Sequence, residues 1–160
     1  MKRIALLIFV LFIGIYCRAQ VKTYVCKYIL DGYIEHTDYI QLTFKNDTLT
    51  KGVYCGNWDG VSFVADIETA ESKDCNDSYN LKFHLKNYKF SKEPVSPYVK
   101  PDFIEPEPND DDLPMEFHSI GREVNSYWGK VSDKKLLLKV AMWFYGSRTD
   151  ELIFNRIEDE

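Results

Sequence analysis

In the stretch Leu81-Lys82-Phe83-His84-Leu85-Lys86, apolar residues alternate strictly with basic ones. Period two marks a half-buried strand, because successive side chains of an extended chain point to opposite faces. Working outward, the same pattern recurs. Val61, Phe63, Ala65 and Ile67 share one side, and Asn57-Trp58-Asp59-Gly60 before them reads as a turn in which Gly60 can take positive φ. Leu49 to Cys55 precedes that turn, and Asn46-Asp47 joins it to Tyr39–Phe44, where Ile40, Leu42 and Phe44 share a face. Val21 to Leu30 is rich in β-branched and aromatic residues. Downstream, Tyr127–Val131 and Leu136–Tyr145 flank a Ser132-Asp133-Lys134 turn, and Gly146-Ser147 leads into Glu151–Ile157. No window of helical length carries an i, i+3, i+4 stripe with a capping box.

These strands and short turns predict an all-β, antiparallel meander, closed as a barrel or folded as a sandwich. Closure removes exposed edges, which favours a single barrel-like or strongly curved sheet. One segment breaks the pattern. Ser91 to Met115 holds all six prolines together with Asp102, Glu105, Glu107, Asp110, Asp111 and Asp112. Proline fixes φ and removes a ladder donor, so this stretch reads as a loop inserted at 91–115 within one domain of residues 20–160. The roughly 45 residues that follow it are marginal for a core of their own.

Residues 1–19 read as a signal peptide. Lys2 and Arg3 form a basic start, Ile4–Tyr16 an apolar run, and Cys17-Arg18-Ala19 a cleavage site before Gln20. The apolar run is shorter than a bilayer span needs. Lipidation at Cys17 is disfavoured because Tyr16 stands where a small residue is wanted. The expectation is a periplasmic or secreted protein with no membrane span in its mature chain. Cleavage would remove three basic residues and no acid, making the formal net charge of −5 more negative. That acidity argues against nucleic acid and anionic membrane surfaces as partners. Asn46-Asp47-Thr48 and Asn76-Asp77-Ser78 are glycosylation sequons that matter only in a eukaryotic secretory route.

Three cysteines remain after cleavage: Cys26, Cys55 and Cys75. An oxidising compartment allows one disulfide among them, with Cys55–Cys75 favoured because both flank turn-like segments, Cys26–Cys55 as the other pairing, and three buried free thiols as the alternative to any bridge. The sequence has no C-x-x-C, and the three histidines lie far apart, which argues against zinc. Asp110, Asp111 and Asp112 are the candidates for a metal, Ca²⁺ by their oxygen chemistry, although EF-hand spacing is absent. No other cofactor is expected. Nucleophile elbows and glycine-rich phosphate loops are missing, and carboxylate pairs among 25 acids are uninformative.

Aromatic residues make up 15% of the chain, a share that suits a pleated core. If the sheet curves into a barrel, Tyr54, Trp58, Trp128 and Trp143 are the candidates to line a pocket for an apolar or sugar-like ligand. The export signal, the opening Tyr24-Val25-Cys26-Lys27-Tyr28, the strand-rich body and the closing Glu151–Ile157 resemble small secreted lipocalin-like β-domains of Bacteroidota type. The Gly-x-Trp motif of lipocalins proper is absent: Gly32 is followed by Tyr33 and Ile34, and no tryptophan precedes Trp58. No ligand residue is therefore carried over. The expected function is non-enzymatic binding of a small apolar ligand or of another secreted or envelope protein. Two alternatives stand beside it: an inhibitor or immunity-type protein docking through the 91–115 loop, and a small secreted hydrolase using Asp/Glu.

Overall fold

Alternating burial closes the sheet on itself. The computed structural model describes residues 19–45, 48–58, 60–69, 81–99, 101–104, 125–142 and 149–157. In chain order the strands are β1 (Gln20–Leu30), β2 (Tyr33–Lys45), β3 (Thr48–Trp58), β4 (Val61–Thr69), β5 (Leu81–Ser91), β6 (Asn125–Val131), β7 (Lys135–Met142) and β8 (Thr149–Arg156). Each pairs antiparallel with the next, and β8 returns to β1, giving a closed eight-stranded barrel. The all-β, barrel-like expectation holds, and of barrel and sandwich the barrel is the form found. Residues 1–18, where the signal peptide is read, lie outside the described residues. Among the described residues no helix is long and apolar enough to cross a membrane.

The interior is filled by side chains. Tyr24, Ile40, Leu42, Leu136, Leu138 and Phe154 are fully buried, with Tyr54, Phe63, Phe83 and Tyr127 packed among them. Phe83 stacks on Tyr127 with ring centroids 5.0 Å apart, and Tyr54 meets Phe63, Tyr127 and Phe154 at 5.5, 5.9 and 6.0 Å. Glycine leaves room for a neighbouring strand where a Cβ would collide with it. Gly56 pairs with Phe63, and Gly129 with Leu138. One end of the barrel is closed by polar contacts around the β6–β7 turn. Tyr24 Oη donates to the Ser132 carbonyl at 2.8 Å, and Lys22 Nζ reaches Asp133 at 2.5 Å while lying over the Phe44 ring.

Two features go beyond the alternation. Within β5 the inward set is Leu81, Phe83 and Leu85, then Tyr88 and Phe90, so the parity changes at Asn87. Asn87 sits at φ 54°, and the β4–β5 register slips between Val64 and Asp66 opposite it. This is a bulge, with one extra residue placed in the left-handed region that asparagine tolerates. The β1–β2 turn is Asp31-Gly32, with φ 51° and 83°, the two positive values of a type I′ hairpin. β2 therefore starts at Tyr33, well before the Tyr39–Phe44 stretch that alternation marks. Residues 33–37 are exposed or half-buried, so no apolar stripe announces them.

The proline-containing insertion begins as expected, without strand. After Ser91 the chain makes a short excursion in which Val95 and Pro101 are buried. It returns to β5, where the Ile104 N–H donates to the Phe90 carbonyl at 2.9 Å. Residues 105–115 of the insertion lie outside the described residues.

Candidate functional site

β2 pairs with β1 from Tyr33 to Phe44, but with β3 only from Tyr39 to Lys45. The Tyr39↔Cys55 rung is the last one, and above it β2 leaves β3. On the other side, the β1–β8 ladder consists of Tyr24↔Arg156 and Val25↔Asn155. Among the described residues the upper half of the β1–β2 hairpin thus stands as a two-stranded arm above the wall. Its tip carries Ile29, Leu30, Tyr33 and Ile34, each more than half exposed.

Asp38 occupies the apex of the gap. Its position follows from the strand period: it shares the inward face with Ile40 and Leu42, and it is 3% exposed. Its Oδ1 accepts the Asn57 backbone N–H at 3.1 Å, and its Oδ2 accepts the Tyr54 hydroxyl at 2.8 Å and the Tyr28 hydroxyl at 3.5 Å. The carboxylate thereby takes over the cross-strand bonding that the backbone ladder gives up. His36 stacks on Tyr28 with centroids 4.0 Å apart and planes at 21°. Among the described residues no Lys or Arg forms an ion pair with Asp38. Burial pushes the Asp38 carboxyl up to about 6; the Tyr54 hydroxyl, the His36 charge, the Asn57 N–H and the Tyr28 hydroxyl oppose that rise. Burial, with the Asp38 charge second, also drives the Tyr28 and Tyr54 phenols above their ordinary range, so both remain donors.

Beside this node lies a cleft of about 470 Å³. β2 contributes Ile34, Glu35, His36, Thr37 and Tyr39, β3 contributes Gly56 and Asn57, and β4 contributes Ser62. The excursion after β5 supplies the facing wall with Pro94, Val95, Ser96 and Val99. His36 and Asn57 thus belong to both the cleft and the Asp38 node. Tyr98 and Val99 extend the exposed apolar rim. Such a volume, lined by apolar and polar side chains in similar number, is within the range of ligand sites.

The structure places the sequence-derived candidates separately. Tyr54 is at the node, buried, as Asp38's donor. Trp58 closes β3 opposite Val61, and its side chain is outside the described residues. Trp128 pairs with Lys82 and Lys139 and alternates with buried Tyr127 and Gly129, which puts it on the outer face, away from Tyr54. Trp143, the acidic run Asp110, Asp111 and Asp112, and Cys75 are outside the described residues. Among the described residues no three metal-ligating side chains converge. His84 is where the alternation put it, at the surface, 2.6 Å from Glu68, which Lys86 also contacts.

The cysteine expectation needs correction. Cys26 and Cys55 are free thiols. Of the favoured Cys55–Cys75 pair, Cys55 is the member among the described residues, and it carries no disulfide. Cys26–Cys55 is not formed either. The two residues pair with Asp38 and Tyr39 on opposite edges of β2, so two inter-strand spacings, roughly 9–10 Å, separate them, beyond disulfide reach. Burial and the Asp38 charge raise both thiols, Cys55 to about 12, which leaves them poor nucleophiles.

The residues missed were Asp38, His36, Tyr28 and Asn57. A signal existed for the first two: extending the Ile40, Leu42, Phe44 face backward reaches Asp38 and then His36. No known protein family, curated protein or solved structure matches the chain.

Proposed function

We propose that this protein is an exported, non-enzymatic barrel that binds an apolar group in the cleft between the β1–β2 arm, the tops of β3 and β4, and the segment 94–99. The observation that carries this reading is the departure of β2 from β3 at Asp38, which opens a cleft whose rim residues Ile34 and Val99 are exposed apolar side chains. Large exposed apolar residues gathered at one place mark binding surfaces. Eight strands in sequential order form an up-and-down barrel, an architecture that can hold a ligand at its mouth. Among the described residues Asp38 is the one buried carboxylate, and both of its oxygens already accept hydrogen bonds from the barrel, which favours a structural role over acid–base hydrolysis. The inhibitor reading has one observation of its own: Tyr98 and Val99, both from the 91–115 loop, face solvent.

Titration with the neutral probe N-phenyl-1-naphthylamine tests the cleft. Fluorescence should rise and shift to the blue on binding, and Val99→Asp should weaken it about tenfold, the loss of a well-buried apolar contact. Absence of any enhancement, or a Val99→Asp variant that binds as well as the parent, would sink the assignment.

A further inference from the structure

One wall of the cleft is made of backbone. From Ile34 to Thr37, β2 is bonded to β1 on one edge and, among the described residues, pairs with no strand on the other, because its ladder with β3 ends at Tyr39. In an antiparallel pair alternate residues turn N–H and C=O towards each side, so this edge presents a row of donors and acceptors. Ile34, Glu35, His36 and Thr37 line the cleft along that row, with apolar Val95 and Val99 among the facing residues. A small apolar molecule would use the walls and leave the backbone groups to water. An extended chain would use both.

We propose that the free β2 edge at Ile34–Thr37 is a docking site for a short, extended, basic polypeptide segment, which adds as a strand in the gap. The proposal rests on the cleft being the binding site and names its occupant. Main-chain bonds would give affinity, and alternate apolar side chains of the guest would reach the apolar walls. Charge sets the partner's sign. Among the described residues Glu35 is the one acidic side chain lining the cleft, and no Lys or Arg lines it; Glu35 is exposed at the β1–β2 bulge, with His36 3.9 Å away as its neighbour. The whole chain is acidic as well, at a formal −5, so a cationic guest is drawn in and an acidic one repelled. The same charge disfavours a second copy of this chain, since antiparallel pairing of two β2 edges brings the two Glu35 side chains onto one ladder.

The test uses the full mature protein and the peptide acetyl-Lys-Val-Lys-Val-Lys-Val-Lys-amide. Two further versions are N-methylated, one at its valines and one at its internal lysines, and a fourth peptide carries Glu in place of Lys. Binding is read by amide chemical-shift changes and Kd. Expected are shifts at Ile34–Thr37, at least tenfold weaker binding of one N-methylated peptide but not of both, and at least tenfold weaker binding of the acidic peptide. Equal binding of both methylated peptides and the parent would overturn strand addition while leaving the apolar cleft standing. So would binding of N-phenyl-1-naphthylamine with no binding of the basic peptide. If neither binds, the cleft assignment fails together with this proposal.

Discussion

Tyr54 donates its hydroxyl to the Asp38 carboxylate across 2.8 Å, one rung from where β2 and β3 part. Both groups are buried, so the bond holds a charge that burial resists: the Asp38 carboxyl lies at about 6 instead of 3.8. The consequence for stability has a definite sign. Between those two values the folded state binds more protons than the unfolded chain, so this carboxyl's contribution is fully present below about pH 4. It is lost as pH rises through about 6. The size is about 3 kcal/mol for a shift of this extent. Urea unfolding of the parent and of Asp38→Asn at pH 4 and pH 7 should show the variant gaining on the parent by roughly that amount at the higher pH. Exposed Glu68 and Asp133, held below the usual range by Lys86 and Lys22 respectively, act in the opposite sense but are common to both proteins and cancel. Tyr54→Phe removes the donor, so it should cost about 2 kcal/mol at pH 7 and move the Asp38 titration, followed by carboxyl ¹³C shifts, to higher pH. An unchanged Asp38 midpoint in that variant would mean that the bond does not hold the charge.

Gly129 tests the tightness of the wall. A Cβ built there would overlap the Leu137 carbonyl oxygen and come within 2.6 Å of Leu138 Cδ2. A Cβ at Gly56 would meet instead the far edge of the Phe63 ring at 2.8 Å. A ring edge can tilt away, whereas a ladder carbonyl is held by its neighbours. Gly129→Ala should therefore destabilise by about 3 kcal/mol or more, and Gly56→Ala by about 1–2 kcal/mol, in chemical denaturation. Equal costs would show that the β6–β7 ladder yields as readily as a side chain.

The strands were legible where one face is buried. Leu81-Lys82-Phe83-His84-Leu85 and Val61–Ile67 alternate because their inward residues fill the barrel, and the structure keeps those faces. The arm was illegible for the same reason. Tyr33–Thr37 has no buried face, so its strand character comes from the Asp31-Gly32 turn and from pairing with β1, and only the turn is written locally. Asp38 escaped notice because an acid in a strand reads as outward. Its inward place depends on phase with Ile40 and Leu42, and its donors come from β1 and β3, residues that only register brings together. Trp128 shows the converse: its ring is as bulky as a core residue, but Tyr127 and Gly129 hold the inward phase on β6.

Asn87 supplies the sharpest test of how the barrel keeps its register. The residue takes φ 54° in the middle of β5, and its Nδ2 donates to Asp66 Oδ2 at 2.8 Å on the neighbouring strand. The bulge lets Leu85 and Tyr88 both reach the core although they are three residues apart. Asn87→Gly keeps the backbone conformation and loses an exposed hydrogen bond, so it should change stability by less than about 0.5 kcal/mol. Asn87→Val is β-branched and resists positive φ, so it should cost about 1–2 kcal/mol. If the strand answers by expelling the bulge, a one-residue slip would carry Tyr88 and Phe90 to the outer face. Cross-strand NOEs between β4 and β5 would report that slip directly. A Val variant as stable as the parent with the parent's NOEs would show that the left-handed turn is not what fixes the β4–β5 pairing.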